Sequence, residues 1–135
     1  MNRTTLGFIF TGMAYLMVGV GLGLYMAIDE SARILGPVHA HANLVGFVTF
    51  NIFGIGYHIL PRFRGRPLYS EGLAWVQFWA ANIGLAGFLV FTATRIYWGV
   101  GSNQRAVFAA LMALSFVLFV YNMGRTMIQV PPQQK

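Results

Sequence analysis

Four apolar runs, each long enough to cross a bilayer, leave this chain few ways to fold. They cover Gly7–Ile28, Val38–Leu60, Leu73–Thr94 and Ala106–Met127. Each holds about 20 residues or more, and a helix of that length spans ~30 Å of hydrocarbon. The predicted fold is therefore an all-α membrane protein, a single four-helix transmembrane bundle over residues 1–135. The breaks between runs are polar. Asp29-Glu30-Ser31-Ala32-Arg33 ends the first run, and Gly36-Pro37 opens the second, with Pro37 suited to a first helical turn. Pro61-Arg62-Phe63-Arg64-Gly65-Arg66-Pro67 is the second loop, Arg95 to Arg105 the third, and Pro131-Pro132-Gln133-Gln134-Lys135 a tail. Trp75, Tyr97 and Trp98 fall near run ends, where interfacial aromatics sit. The first run is too long for the 7–15-residue core of a signal peptide, and only Arg3 precedes it, so a retained helix is expected.

Charge agrees with lipid as the solvent. Only 9% of residues are charged and 57% are hydrophobic, whereas a soluble domain carries about 25% charged residues. A chain of 135 residues could not hide so much apolar surface from water. The net charge of +6 is scattered over loops, which argues against a nucleic-acid partner. With the N-terminus inside, the inner segments hold Arg3, Arg62, Arg64, Arg66, Arg125 and Lys135, while the outer loops hold Arg33, Arg95 and Arg105. Loop Lys/Arg marks the cytoplasmic side, so both termini are expected there. Cysteine is absent, which excludes disulfides, thiolate metal sites, iron–sulfur clusters and covalent haem.

The chemistry concentrates where the second run begins, at Pro37-Val38-His39-Ala40-His41-Ala42-Asn43-Leu44-Val45-Gly46-Phe47. Ionisable side chains inside a membrane helix are functional candidates, because hydrocarbon offers them no hydrogen bonds. At ~100° per residue, His39 and His41 fall on nearly opposite faces. His39 shares a small, polar side with Asn43, Gly46, Gly54 and Tyr57, suited to helix packing. His41 stands over Val45, Val48, Ile52 and Ile59, a dry aliphatic wall with one imidazole at its top. A flat apolar cofactor with a metal that needs a ligand would use both, and haem fits that description.

These residues also resemble a family. His39-Ala40-His41, followed by Gly46 and by Gly54-Ile55-Gly56-Tyr57-His58-Ile59-Leu60-Pro61-Arg62-Phe63, looks like the core of haem–copper oxidase subunit I. His41-Ala42-Asn43-Leu44-Val45 resembles the His-Thr-Asn pattern of helix two in nitric oxide reductases and C-type cytochrome oxidases, where the histidine is an axial ligand of the low-spin haem. The His-x-His pattern resembles helix ten, whose two histidines bind the high-spin and the low-spin haem. Phe119 to Thr126 looks like a helix end of the same subunits, and Pro61 to Pro67 resembles a loop of the NnrS haem–copper membrane proteins. The chain departs from the family in having four helices rather than twelve, with no separate His-His pair and no cross-linked His–Tyr helix for copper.

The resemblance implies one four-helix unit of that subunit in a prokaryotic cytoplasmic membrane. It would bind non-covalent haem b and serve in electron transfer or in binding O2 or NO. The candidate cofactor-binding residues are His41, His39, Asn43, Val45, Val48 and Ile52, with His41 and His39 as metal ligands. Two alternatives stand beside this reading. One is a haem-free structural or assembly subunit of a respiratory oxidase, and the other a minimal O2 or NO reductase with copper near His39. A low-spin haem needs two axial ligands. His58 lies 17 residues beyond His41, about 25 Å along a helix, and is expected to be an interfacial, hydrogen-bonded histidine. Met13, Met17 and Met26 could serve instead. A homo-oligomer is the expected solution, with haem between subunits and a redox protein as partner. A twofold dimer pairs His41 with His41, whereas a threefold ring pairs His41 with His39 of the next subunit and so gives both histidines a role. Gly19-x-x-x-Gly23 reads as a helix-packing motif, and Asn51, Asn82 and Asn122 as interhelical hydrogen-bond formers.

Overall fold

A computed structural model describes residues 2–128, and all regular structure among them is helical. Helix α1 is Arg3–Ile28. The second span is composite: a 3-10 turn over Glu30–Leu35, α2 over Gly36–His41, a π segment over Ala42–Thr49, and α3 over Phe50–Phe63. Helices α4, Glu71–Trp98, and α5, Ser102–Ile128, complete the bundle. Four helical stretches are thus long and apolar enough to cross a membrane. Every span runs beyond its apolar core, because the flanking polar residues cap it rather than break it. The Asn2 side chain accepts from the Thr5 amide at 2.9 Å, and the Ser70 hydroxyl accepts from Leu73 N at 3.1 Å. Gly99, at φ 70°, ends α4 in the left-handed conformation that glycine adopts without strain.

The first connection is shorter than a loop from Asp29 to Gly36 would be. Asp29 stops α1 in an extended conformation and immediately caps the next turn, accepting from the Ser31 hydroxyl at 2.7 Å and from Ser31 N at 2.9 Å. The Ser31 hydroxyl and amide hold the Asp29 carboxyl below its ordinary range. Helical hydrogen bonding therefore resumes at Glu30, eight residues before the start expected from hydropathy at Val38.

Packing follows the small residues. Helix α1 lies against the whole second span, and α4 lies against α5. A Cβ on Gly46 would stand 2.5 Å from Tyr15 Cβ, and one on Gly54 would stand 3.1 Å from Phe8 Cβ. The Asn43 amide fills the space that Gly19 leaves. The face carrying His39, Asn43, Gly46, Gly54 and Tyr57 is thus the one seated on α1, which the Gly19-x-x-x-Gly23 motif serves by letting the backbones approach. Phe8 forms the hub of the core, meeting Phe50, Phe53 and Phe78 edge to face at 5.1 to 5.5 Å. Helix α5 meets the second span only along α3, through Phe53 with Phe116 and Phe119, and it does not reach α2. The two helices therefore diverge toward the end of the bundle that carries the histidine pair.

The asparagines divide differently from the sequence expectation. Asn51 and Asn82 donate to Phe47 O and Phe78 O of their own helices, both at 2.8 Å. Asn122 is fully buried and clamps the backbone of Ser70, donating to its carbonyl at 2.8 Å and accepting from its amide at 3.1 Å. Thr126 accepts from Tyr69 N at 3.0 Å. The last turns of α5 thereby fix the loop that starts α4. The apolar side chains left on the outside, such as Phe10, Met17, Leu24, Val107 and Val120, suit a lipid bilayer rather than water.

Candidate functional site

The composite span sets the directions of the histidines. Pro37 sits in the first turn of α2, where its missing amide hydrogen is not needed, and its carbonyl lies one helical turn before His41. The His41 ring folds back onto it, with Nδ1 at 2.8 Å from Pro37 O. That bond places the proton on Nδ1 and leaves the Nε2 lone pair uncommitted. On its other side the ring meets Phe88 of α4 at a centroid distance of 4.7 Å and 47°. His41 is half-buried and lines a shallow apolar depression of about 110 Å³ with Ala40, Leu44 and Val45.

His39 turns the other way. Its Nδ1 donates to Gly19 O of α1 at 2.9 Å, and its Cε1 would lie 3.1 Å from a Cβ on Gly23. The Asn43 amide nitrogen lies 3.4 Å from each ring nitrogen of His39 and donates to His39 O at 2.9 Å. One imidazole is thus locked into the α1 seam, while the other stands at an open edge beside α4. Of the residues expected to share a cofactor, the structure brings His41 and Val45 together, and it brings His39 and Asn43 together elsewhere.

Val48 and Ile52 belong to neither group. They are 43% and 57% exposed and do not line the depression beside His41. The reason is the π segment. Its backbone bonds reach the carbonyl five residues back, as where Phe50 N–H donates to Val45 O, so each residue turns through less than the ~100° of an α-helix. Over the seven positions from His41 to Val48 the face lags by tens of degrees. A wheel drawn at constant pitch therefore overstates the aliphatic wall below Val45. Leu44 and Phe88 take its place at the histidine. Neither carries a sequence signal, since one depends on the π register and the other on how α4 docks.

The remaining basic groups are mostly engaged locally. His58 Nε2 accepts from Arg62 Nη1 at 2.8 Å, one turn along α3, so His58 is hydrogen-bonded as expected. Arg33 pairs with Glu30 at 3.0 Å, and Arg95 donates to the Ser102 hydroxyl. No group of three or more His, Cys, Asp or Glu side chains gathers among the described residues. A site here would accordingly rest on single imidazoles. Family models, characterised proteins and solved structures, compared with the chain, give no match.

Proposed function

We propose that this chain is a b-type haem-binding membrane protein of the haem–copper oxidase subunit I kind, with iron on Nε2 of His41. The observation that carries the reading is the hydrogen bond from His41 Nδ1 to Pro37 O. Histidines that ligate metals nearly always donate their other ring nitrogen to a carbonyl or carboxylate, which fixes tautomer and ring direction. His41 has that arrangement, and it lines a depression otherwise apolar, where an unpaired polar atom is costly. Leu44, Val45 and Phe88 supply apolar contact for a flat macrocycle. Bound haem would supply a one-electron couple or an iron that takes O2 or NO. The chain itself orients the ligand, screens it from water and leaves one side of the site open.

That open side calls for a second copy. The depression is well below the ~300 Å³ at which ligand pockets begin, so one chain does not enclose a porphyrin. His39 is held by Gly19 O and faces α1, which favours a twofold dimer joining two His41 residues over a ring that needs His39 as partner ligand. Native mass spectrometry in mild detergent tests this. Two chains with one haem are expected, whereas three chains with three haems would support the ring, and a haem-loaded monomer would overturn sharing between subunits.

The same reading places the protein in a prokaryotic cytoplasmic membrane with both termini inside. The support is the excess of arginine at the start of α1 and around the ends of α3 and α5 over that near Ser31 and between α4 and α5. A cysteine replacing Ser31, which is exposed in the first connection, should react with an impermeant thiol reagent added to intact cells. Labelling only after lysis would invert the topology.

A further inference from the structure

At the opposite end of the bundle from the histidine pair, α1 and α4 begin side by side around a cavity of about 420 Å³. Asn2, Arg3, Thr4, Glu71, Gly72 and Trp75 line it. Three features distinguish it from an ordinary gap between helix ends. Arg3 and Glu71 face the same space and form no ion pair with each other; among the described residues the pair that does form is Arg33 with Glu30. The Glu71 carboxylate is positioned by the Asn2 amide, which donates to Oε2 at 2.6 Å. The Trp75 indole is half-exposed yet oriented, stacked on Phe78 at 5.2 Å and 14°.

The same seam carries a second depression nearer the middle of the bundle. It measures about 250 Å³ and is lined by Thr11, Ala14, Tyr15, Val18 and Asn82. Between the two, the Phe78 ring rests on Gly7, whose missing side chain keeps the α1 rim low. Helix α1 rises about 12 Å from Arg3 to Thr11 and about 22 Å to Val18. Half the hydrocarbon thickness is about 15 Å, so the upper depression lies at the depth where an acyl chain of the same leaflet ends.

We propose that the α1–α4 seam is a binding site for a single zwitterionic phospholipid. Its phosphate would be held by Arg3, its ammonium by Glu71 and Trp75, and one acyl chain would lie along the seam to Tyr15 and Asn82. A cation without an ion pair among the described residues and a positioned carboxylate, both lining one cavity, suit a headgroup that carries both charges. An anionic lipid would satisfy Arg3 and be repelled by Glu71. The indole adds a face for the ammonium.

The test uses the full-length protein in mild detergent, titrated with phosphatidylethanolamine or phosphatidylglycerol and read by native mass spectrometry. Phosphatidylethanolamine should be retained about tenfold more strongly, because its ammonium makes a charge-assisted hydrogen bond to Glu71 where phosphatidylglycerol meets repulsion. Glu71→Gln keeps an acceptor for Asn2 and should abolish the preference, while Arg3→Gln should weaken both lipids about tenfold. Ala14→Trp fills the upper depression from an exposed position and should weaken lipid retention with the headgroup residues intact. Glycerophosphoethanolamine, the same headgroup without chains, should compete poorly. The proposal is overturned if the two lipids bind equally to the unaltered protein, if Glu71→Gln and Arg3→Gln leave retention unchanged, or if the chain-free headgroup binds as well as the lipid.

Discussion

Replacing His41 with alanine should strip the protein of haem, lowering haem per chain by more than about tenfold, while its helix content stays as before. The magnitude follows from what is removed. Altering only the groups that orient a ligating histidine costs about 10–100-fold in metal affinity, so loss of the ligand itself costs at least as much. The fold should tolerate the change because the ring is half-buried, bonds within its own turn and meets α4 at the Phe88 ring. His58→Ala is the matched control. It removes an imidazole bonded to Arg62 at the other end of the same span and should leave haem in place. Absorbance at the Soret band with haem quantified per chain reads both variants. An unchanged band in the His41 variant would remove the proposed ligand.

Gly84→Val should be the most damaging packing substitution, lowering the unfolding temperature in detergent by about 5 °C or more. A Cβ there would stand 2.7 Å from Met112 N and 2.9 Å from Met112 Cα. Those are backbone atoms of α5, so no side chain can swing aside, and α4 and α5 must separate along their shared face. Overpacking of this kind costs about 1–3 kcal/mol, and the separation of two backbones places it at the upper end. The opposing gain from replacing a helical glycine is about 1 kcal/mol or less, since valine is itself a poorer helix former than alanine. Gly21→Ala separates the two effects. Nothing lies within 4 Å of the added Cβ, so only the helical gain remains and the unfolding temperature should hold or rise. Equal temperatures for the Gly84 variant and the unaltered protein would show that α4 and α5 do not meet as described.

The parts of this fold that were legible in the sequence are those fixed by long-range composition. Some twenty apolar residues in a row specify a span wherever the chain goes, and the four spans stand where those runs are. Span ends were less legible because single side chains set them. Asp29 reads as a helix stop, yet it also caps the next turn, and this erases most of the loop its charge suggests. The small, polar face through His39, Asn43 and Gly46 was readable because small residues at helical spacing mark close approach, here Gly46 on Tyr15 and Gly19 on Asn43. The π segment was not readable. Ala42–Thr49 is ordinary helix sequence, and the wider turn coincides with Asn43 seated on Gly19 and Gly46 on Tyr15, contacts that exist only once α1 has docked. Val48 and Ile52 lie outside the depression beside His41. Asn122 was marked as a polar group needing a partner, but its partner is loop backbone, which hydropathy cannot locate.

The central claim is that this bundle carries haem at His41, and the spectrum of the purified protein tests it most directly. The unaltered chain, produced in cells supplied with haem and extracted in mild detergent, should show a Soret band and about one haem for every two chains. A sharp, split low-spin spectrum indifferent to carbon monoxide would mark bis-histidine ligation and electron transfer, while a shift with carbon monoxide would mark gas binding at an open iron position. A folded, four-span protein that purifies without haem and takes up none when haem is added would contradict the account and leave a structural subunit in its place.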